Sequence, residues 1–241
     1  MTNFSTKIVA VGMAAALVAC AMTACKTTNE TTAESTEMII DSEPDLGDLV
    51  GGWQIPEDMA VTEEAKSAFE SVASELGQYQ AIKLLATQVV AGTNYCILAQ
   101  STAMGQMGPD NYRIAYVNVD PSGKASLLRN DEILLGGVRV EDLEGGWSKT
   151  VQYDMDGEQK AAFDKGTEAL AGATYEVVAC VGEQAVAGTN YAFLCKATAS
   201  VPNGSSYFVL VYVYADLQGN SEITETIEIE LNATSESGVI G

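Results

Sequence analysis

The chain has 241 residues, with 33 acidic against 12 basic side chains, a net charge of −21 and no histidine. The charge argues strongly against a nucleic-acid partner, whose phosphates demand clustered Lys and Arg, and against docking on anionic lipid. Without histidine there is no Ser-His-Asp or Cys-His catalysis and no His-ligated metal, and no Gly-rich phosphate loop sits between a strand and a helix, so neither an enzyme nor a cofactor is expected.

The first seven residues carry one cation, Lys7, and "IVAVGMAAALVACAMTAC" follows over residues 8–25. A charged start and an apolar core too short to span a bilayer mark an export signal. The run resembles a bacterial lipoprotein signal, in which small residues precede a cysteine that becomes lipidated; both Cys20 and Cys25 satisfy that pattern. The resemblance implies export and a lipid anchor in the cell envelope. Residues 26–48 are rich in Thr, Glu, Ser and Asp, a composition that cannot bury enough apolar surface to order itself. They read as an acidic stalk.

The rest of the chain is a repeat. "LVGGW" at 49–53 answers "LEGGW" at 143–147, and "QVVAGTNY" at 88–95 answers "QAVAGTNY" at 184–191. From the second pair onward the two copies keep a constant spacing of 96 residues, which carries Asp120 to Asp216 and Gly123 to Gly219. The copies span residues 49–142 and 143–235, and 236–241 read as a disordered tail. In the first copy Thr62 can cap a helix that starts with Glu63 and Glu64, both favoured at the positive helix end. Ala65, Phe69, Val72, Ala73 and Leu76 form its apolar face, and Gly77 is a stop signal. The second helix follows Asp156, turns Phe163 and Leu170 inward and ends at Gly172, with Gly166 weakening its interior.

After each helix come β-rich runs separated by turn residues: 79–90, 93–103, 110–120 and 124–136, then 174–186, 189–200, 206–217 and 220–232. The pattern predicts an α+β fold of two tandem domains, each one helix packed on an antiparallel sheet, and a monomer. The first reversal falls around Val90-Ala91-Gly92. Gly92 supplies backbone freedom for the turn. The valines have two readings: Val89 and Val90 either cap an exposed apolar tip of the kind that meets a partner, or sit in the core of a strand pair whose turn comes slightly later.

The segment Gln88-Val89-Val90-Ala91-Gly92, repeated as Gln184-Ala185-Val186-Ala187-Gly188, resembles the Gln-x-Val-x-Gly hairpin of the cystatins, protein inhibitors of papain-like cysteine proteases. The Thr-Asn-Tyr that follows matches the stefin branch, and "LVGG" and "EGG" match a glycine that the family carries before its helix. The resemblance covers both repeats. It implies two cystatin-like domains and inhibition by wedging, with no catalytic group donated. Leu49 and Val50 would enter substrate pockets, Gly51 would bend the chain away from the catalytic cysteine, and Gln88 to Gly92 would form the central wedge. Gln184 to Gly188 would be its second copy. Many cystatins carry Pro-Trp at the next hairpin, where this chain has Asp120-Pro121-Ser122-Gly123 and Asp216-Leu217-Gln218-Gly219. That departure, with the charged Leu143-Glu144 before the second copy, keeps open an alternative: a non-inhibitory binding or scaffold lipoprotein. Activity is expected mainly in the first copy, whose lead-in is apolar and attached to a free stalk. Trp53 and Trp147 read as packing aromatics. Cys96 stands alone and lacks a histidine to activate it. Strand parity puts Cys180 and Cys195 on different faces, so buried free thiols are expected in preference to a bridge.

Overall fold

The structure is a computed structural model that describes residues 51–103, 112–133, 135, 146–148, 152–168, 170–234 and 237–240. The chain divides between Pro44 and Asp45, and every described residue belongs to the second compact unit. In the first repeat, strand β1 (Trp53–Gln54) leads to helix α1 (Glu63–Ser71) and a short α2 (Ala73–Leu76). Strands β2 (Tyr79–Val90), β3 (Gly92–Ser101), β4 (Tyr112–Val119) and β5 (Ala125–Ile133) follow. The second repeat has helix α3 (Gly157–Thr167) and strands β6 (Ala173–Val186), β7 (Gly188–Ala199), β8 (Ser206–Ala215) and β9 (Ser221–Ile229), and a last strand β10 covers Val239–Ile240.

The helices start where their caps dictate. The Thr62 hydroxyl accepts from the Ala65 N–H at 3.2 Å. Asp156 accepts from the N–H groups of Glu158 and Gln159, and Gln159 returns a carboxamide oxygen to the Asp156 N–H, a reciprocal capping box that satisfies otherwise orphan donors. Helix α1 buries Ala65, Ala68 and Phe69. Helix α3 buries Ala162 and Phe163. It ends at Thr167, short of the expected Gly172, and Leu170 is 39 % exposed instead of inward. Gly166 has a packing role that its helix propensity hides: a Cβ there would lie 3.1 Å from Val213 Cγ1, so glycine lets α3 settle onto β8.

The strands form one sheet in the order β1-β2-β3-β4-β5-β10 and another in the order β6-β7-β8-β9. All pairings are antiparallel except β10 on β5. The repeat extends to irregularities: a register shift falls between Tyr116 and Val117 in the first sheet and between Tyr212 and Val213 in the second. The tail expected to be disordered is ordered at its end, where Val239–Ile240 add a parallel strand opposite Glu132 and Ile133.

The expectation of two separate helix-on-sheet α+β domains is corrected. The described residues are mostly β, in two largely antiparallel sheets with three short helices. The inner faces of the two sheets share one core: Leu85, Cys96, Leu98, Ile114 and Tyr116 pack with Val178, Val181, Leu194, Leu210 and Tyr212. Helix α1 covers the outer face of the first sheet over Leu84, Ile97 and Val117, and α3 covers that of the second over Phe193, Val209 and Val211. The physical reason is that the central strands have no wet face. Residues 191–195, "YAFLC", and 208–213, "FVLVYV", are buried throughout. A single helix hides one face of such a strand, and the other must meet a second apolar surface.

Candidate functional site

Strand β2 delivers the repeated segment to the end of the first sheet. Its pairing runs through Gln88↔Asn94 and Val89↔Thr93 to Val90↔Gly92, so the turn centres on Ala91. Val89 is 52 % exposed and Val90 38 %. The valines therefore form an exposed tip, and the alternative of a later turn with both in the core does not hold. Gly92 has φ +110, and a Cβ on it would lie 2.1 Å from the Val119 carbonyl oxygen and 2.9 Å from Asp120 Cα. Glycine thus does two jobs here. It permits the left-handed backbone, and it lets the tip press directly against the β4–β5 turn.

A ladder of side-chain amides braces this tip. Gln88 Nε2 donates to the Gly51 carbonyl at 2.7 Å, Asn94 Nδ2 donates to Gln88 Oε1 at 2.7 Å, and Asn118 Nδ2 donates to Asn94 Oδ1 at 2.8 Å. The Gly51 N–H donates to the Val89 carbonyl at 3.1 Å, and β1 continues the pairing with Trp53 opposite Gln88. Gly51, the hairpin tip and the turn after Val119 consequently lie side by side. Leu49 and Val50, which lead into Gly51, lie outside the described residues, as do Cys20 and Cys25. Trp53 is a packing residue, edge-on to Tyr116 with ring centroids 5.7 Å apart.

The adjacent turn is held by Asp120. Its Oδ1 accepts from the Ser122 N–H at 2.8 Å, the Ser122 hydroxyl at 2.6 Å and the Lys124 N–H at 3.0 Å. Those bonds, the Ser122 hydroxyl first, hold the Asp120 carboxyl below the usual carboxylate range. Asp216 repeats the device with Gln218 and Asn220, and its carboxyl is lowered by the same kind of bonds, that from Asn220 first.

The second hairpin is built alike with a different brace. Ala185, Val186 and Ala187 are exposed, Val186 by 47 %. Asn190 Nδ2 donates to Gln184 Oε1 at 2.7 Å. Tyr214, which takes the place of Asn118, donates its hydroxyl to the Ala187 carbonyl at 2.5 Å. Gly188 has φ +125 and leaves no space for a Cβ, which would lie 2.3 Å from the Ala215 carbonyl oxygen. The lead-in meets β6 at Ser148, bridged to Glu183, and Trp147 lies edge-on to Tyr212 at 5.6 Å. Leu217, in the neighbouring turn, is 80 % exposed.

Among the described residues, Cys96, Cys180 and Cys195 are buried free thiols. Burial drives the Cys96 and Cys195 thiols far above their ordinary range and pushes Cys180 up to about 12. Such groups are protonated at neutral pH and make poor nucleophiles. Cys180 and Cys195 do share a face, contrary to parity, because a register shift interrupts β6 between Val177 and Ala179. They remain diagonal, Cys180 opposite Phe193 and Cys195 opposite Val177. Diagonal neighbours stand roughly 7–8 Å apart, beyond the usual reach of a disulfide.

Asn94, Asn118 and Tyr214, which brace the two tips, escaped the sequence reading. Asn94 lay inside the repeated segment, yet nothing in the spacing of Asn118 or Tyr214 pairs them with it before strand register is known. Compared with known proteins, the chain matches no family model and no curated protein.

Proposed function

We propose that the protein inhibits papain-like cysteine proteases by inserting the edge formed by Gly51 and Gln88 to Gly92 into the active-site cleft, with Gln184 to Gly188 as a second, subsidiary edge. The observation that carries the reading is the Gln88 carboxamide, which ties the leading segment at Gly51 to the exposed Val89-Val90-Ala91 tip. A cleft-filling wedge needs two apolar elements held side by side before binding, because side chains already ordered lose little entropy on docking. The tip contributes small apolar side chains and backbone, and the turn at Asp120 backs it. No catalytic group of the chain is required. The front end, outside the described residues, fits an exported protein anchored by lipid on Cys20 or Cys25, which would hold the inhibitor at the cell envelope.

A second reading, a surface binding or scaffold lipoprotein without protease affinity, draws on the shared core of the two repeats. The architecture is not that of two separate inhibitor domains, so the resemblance at the hairpin stands without support from the whole fold. One titration separates them. Residues 45–241 are added to papain, and residual hydrolysis is followed for the parent and for Val90→Asp, which changes an exposed side chain and leaves the turn intact. Stoichiometric inhibition that Val90→Asp relieves supports the wedge. No inhibition at micromolar protein leaves the scaffold reading.

A further inference from the structure

We infer that the outer edge of β9 is a docking site for an extended, cationic segment of another protein, which joins the second sheet as an added strand. The template lies in the other repeat. There, β10 adds to the outer edge of β5, with Val239 opposite Glu132 and Ile240 opposite Ile133. The Glu132 N–H donates to the Gly238 carbonyl at 3.0 Å, and the Gly238 N–H donates to Asp131 Oδ1 at 2.7 Å. Arg129 completes the grip, donating to Asp131 Oδ1 at 2.7 Å and to the Asn232 carbonyl at 3.1 Å.

Strand β9 occupies the same place in the second repeat, with the same register. Glu225 stands opposite Tyr212 as Arg129 stands opposite Tyr116, and Ile227 stands opposite Leu210 as Asp131 stands opposite Ile114. Glu228 and Ile229 match Glu132 and Ile133, so the backbone that β10 reads on β5 is reproduced. Among the described residues, the second sheet ends at β9 with no strand beyond it.

The side chains decide what fits. Arg129 and Asp131, which hold the segment around Gly238 on β5, are replaced by Glu225 and Ile227, so this edge cannot grip Gly238 as β5 does. Glu222, Glu225 and Glu228 are exposed, and no Lys or Arg occurs from Ser221 to the end of the chain. Two β9 edges of separate copies would set these carboxylates against one another, which disfavours self-pairing. Glu222 and Glu225 lie on the face of Tyr214 and Tyr212 and Glu228 on that of Val209, so a strand carrying Lys or Arg on both of its faces meets them with opposite charge while its backbone pairs with β9. This site is separate from the hairpin edges and does not depend on protease inhibition.

The test uses the full chain and an acetylated, amidated Lys-Val-Lys-Lys-Val-Lys peptide, which carries cations on both faces of the strand. Its binding is followed by calorimetry and by hydrogen exchange of the amides of residues 222–228. Expected are saturable binding and slowed exchange confined to β9, with affinity reduced about tenfold or more in Glu225→Lys/Glu228→Lys. The same peptide with N-methylated backbone should not bind. Equal binding of the N-methylated peptide would reduce the effect to charge alone and overturn the inference. So would protection, in the unliganded monomer, of the β9 amides that do not pair with β8, or protection that rises with protein concentration and marks a second copy as the occupant.

Discussion

Leu135 fills the space that a side chain on Gly182 would need: a Cβ on Gly182 would lie 2.1 Å from Leu135 Cδ1 and 3.2 Å from the Ser148 carbonyl oxygen. The first residue follows β5 of one repeat, and the second lies in β6 of the other. The repeats are thus fitted to each other at the scale of a methyl group. Gly182→Val should cost about 1–3 kcal/mol through overpacking, and the same substitution at exposed Gly157, where the backbone is not left-handed and a Cβ meets nothing within 4 Å, should stay within about 0.5 kcal/mol of the parent. Urea unfolding of the two variants checks the difference.

Because the sheets share one core, neither repeat should fold alone. Residues 49–142 would leave Leu85, Leu98, Ile114 and Tyr116 without their partners, and each such side chain contributes about 1.5–3 kcal/mol when fully buried. The expected result for either isolated repeat is broad, uncooperative unfolding with dye-binding apolar surface, against one cooperative transition for residues 45–241. Two independent transitions in the parent, each matching an isolated repeat, would contradict the shared core.

Much of the local structure was legible in the sequence, because caps, turns and alternation are local signals. Thr62, Asp156 and Gly77 marked helix ends, and the eight long strands fall close to the runs between Gly, Pro and Asn. The layer arrangement was misread although its signal was present. "FVLVYV" has no polar alternation, and a strand with both faces apolar calls for cover on both sides. One helix per sheet could not supply that. The bulges in β6 were not legible, and with them the parity of Cys180 and Cys195 was reversed. The Gln88–Gly51 and Asn94–Asn118 contacts depend on register between distant strands, which a single sequence does not encode locally.

The two tip glycines should be more sensitive than the tips they serve. Gly92→Ala and Gly188→Ala each put a Cβ on a left-handed backbone and against a carbonyl oxygen. Strain of this kind costs about 1–3 kcal/mol before the clash is counted. Val90→Asp and Val186→Asp, at exposed positions, should stay within about 0.5 kcal/mol of the parent. Thermal melts of the four variants check the ranking, and an unchanged melting temperature for Gly92→Ala would contradict the close approach to Val119.

The buried thiols set an alkaline limit on stability. A cysteine ionises near pH 8.5 in the unfolded chain, whereas folding pushes Cys180 up to about 12. The folded state therefore holds its proton where the unfolded state has released it. Stability is full below pH 8.5 and falls as pH rises between about 8.5 and 12. Cys180→Ala should flatten part of that decline in urea midpoints measured from pH 8 to pH 10. At pH 7.5 the described cysteines of the native protein should resist a thiol reagent and react only on unfolding.

Gln88 offers a test that separates bracing from contact. Its carboxamide joins Gly51 to Asn94, so Gln88→Ala removes the tie while leaving Val89, Val90 and Ala91 in place. The expected stability loss is modest, about 0.5–1.5 kcal/mol, the usual net worth of such hydrogen bonds. If the edge acts as a preorganised wedge, protease affinity should fall by more than the loss of one contact, because Gly51 must then be ordered on binding. Truncating the chain before Gly51 should weaken the parent markedly and Gln88→Ala only slightly, since the variant no longer holds that segment against the tip. Equal effects of truncation in both backgrounds, read in papain titrations, would show that Gln88 does not couple the two elements.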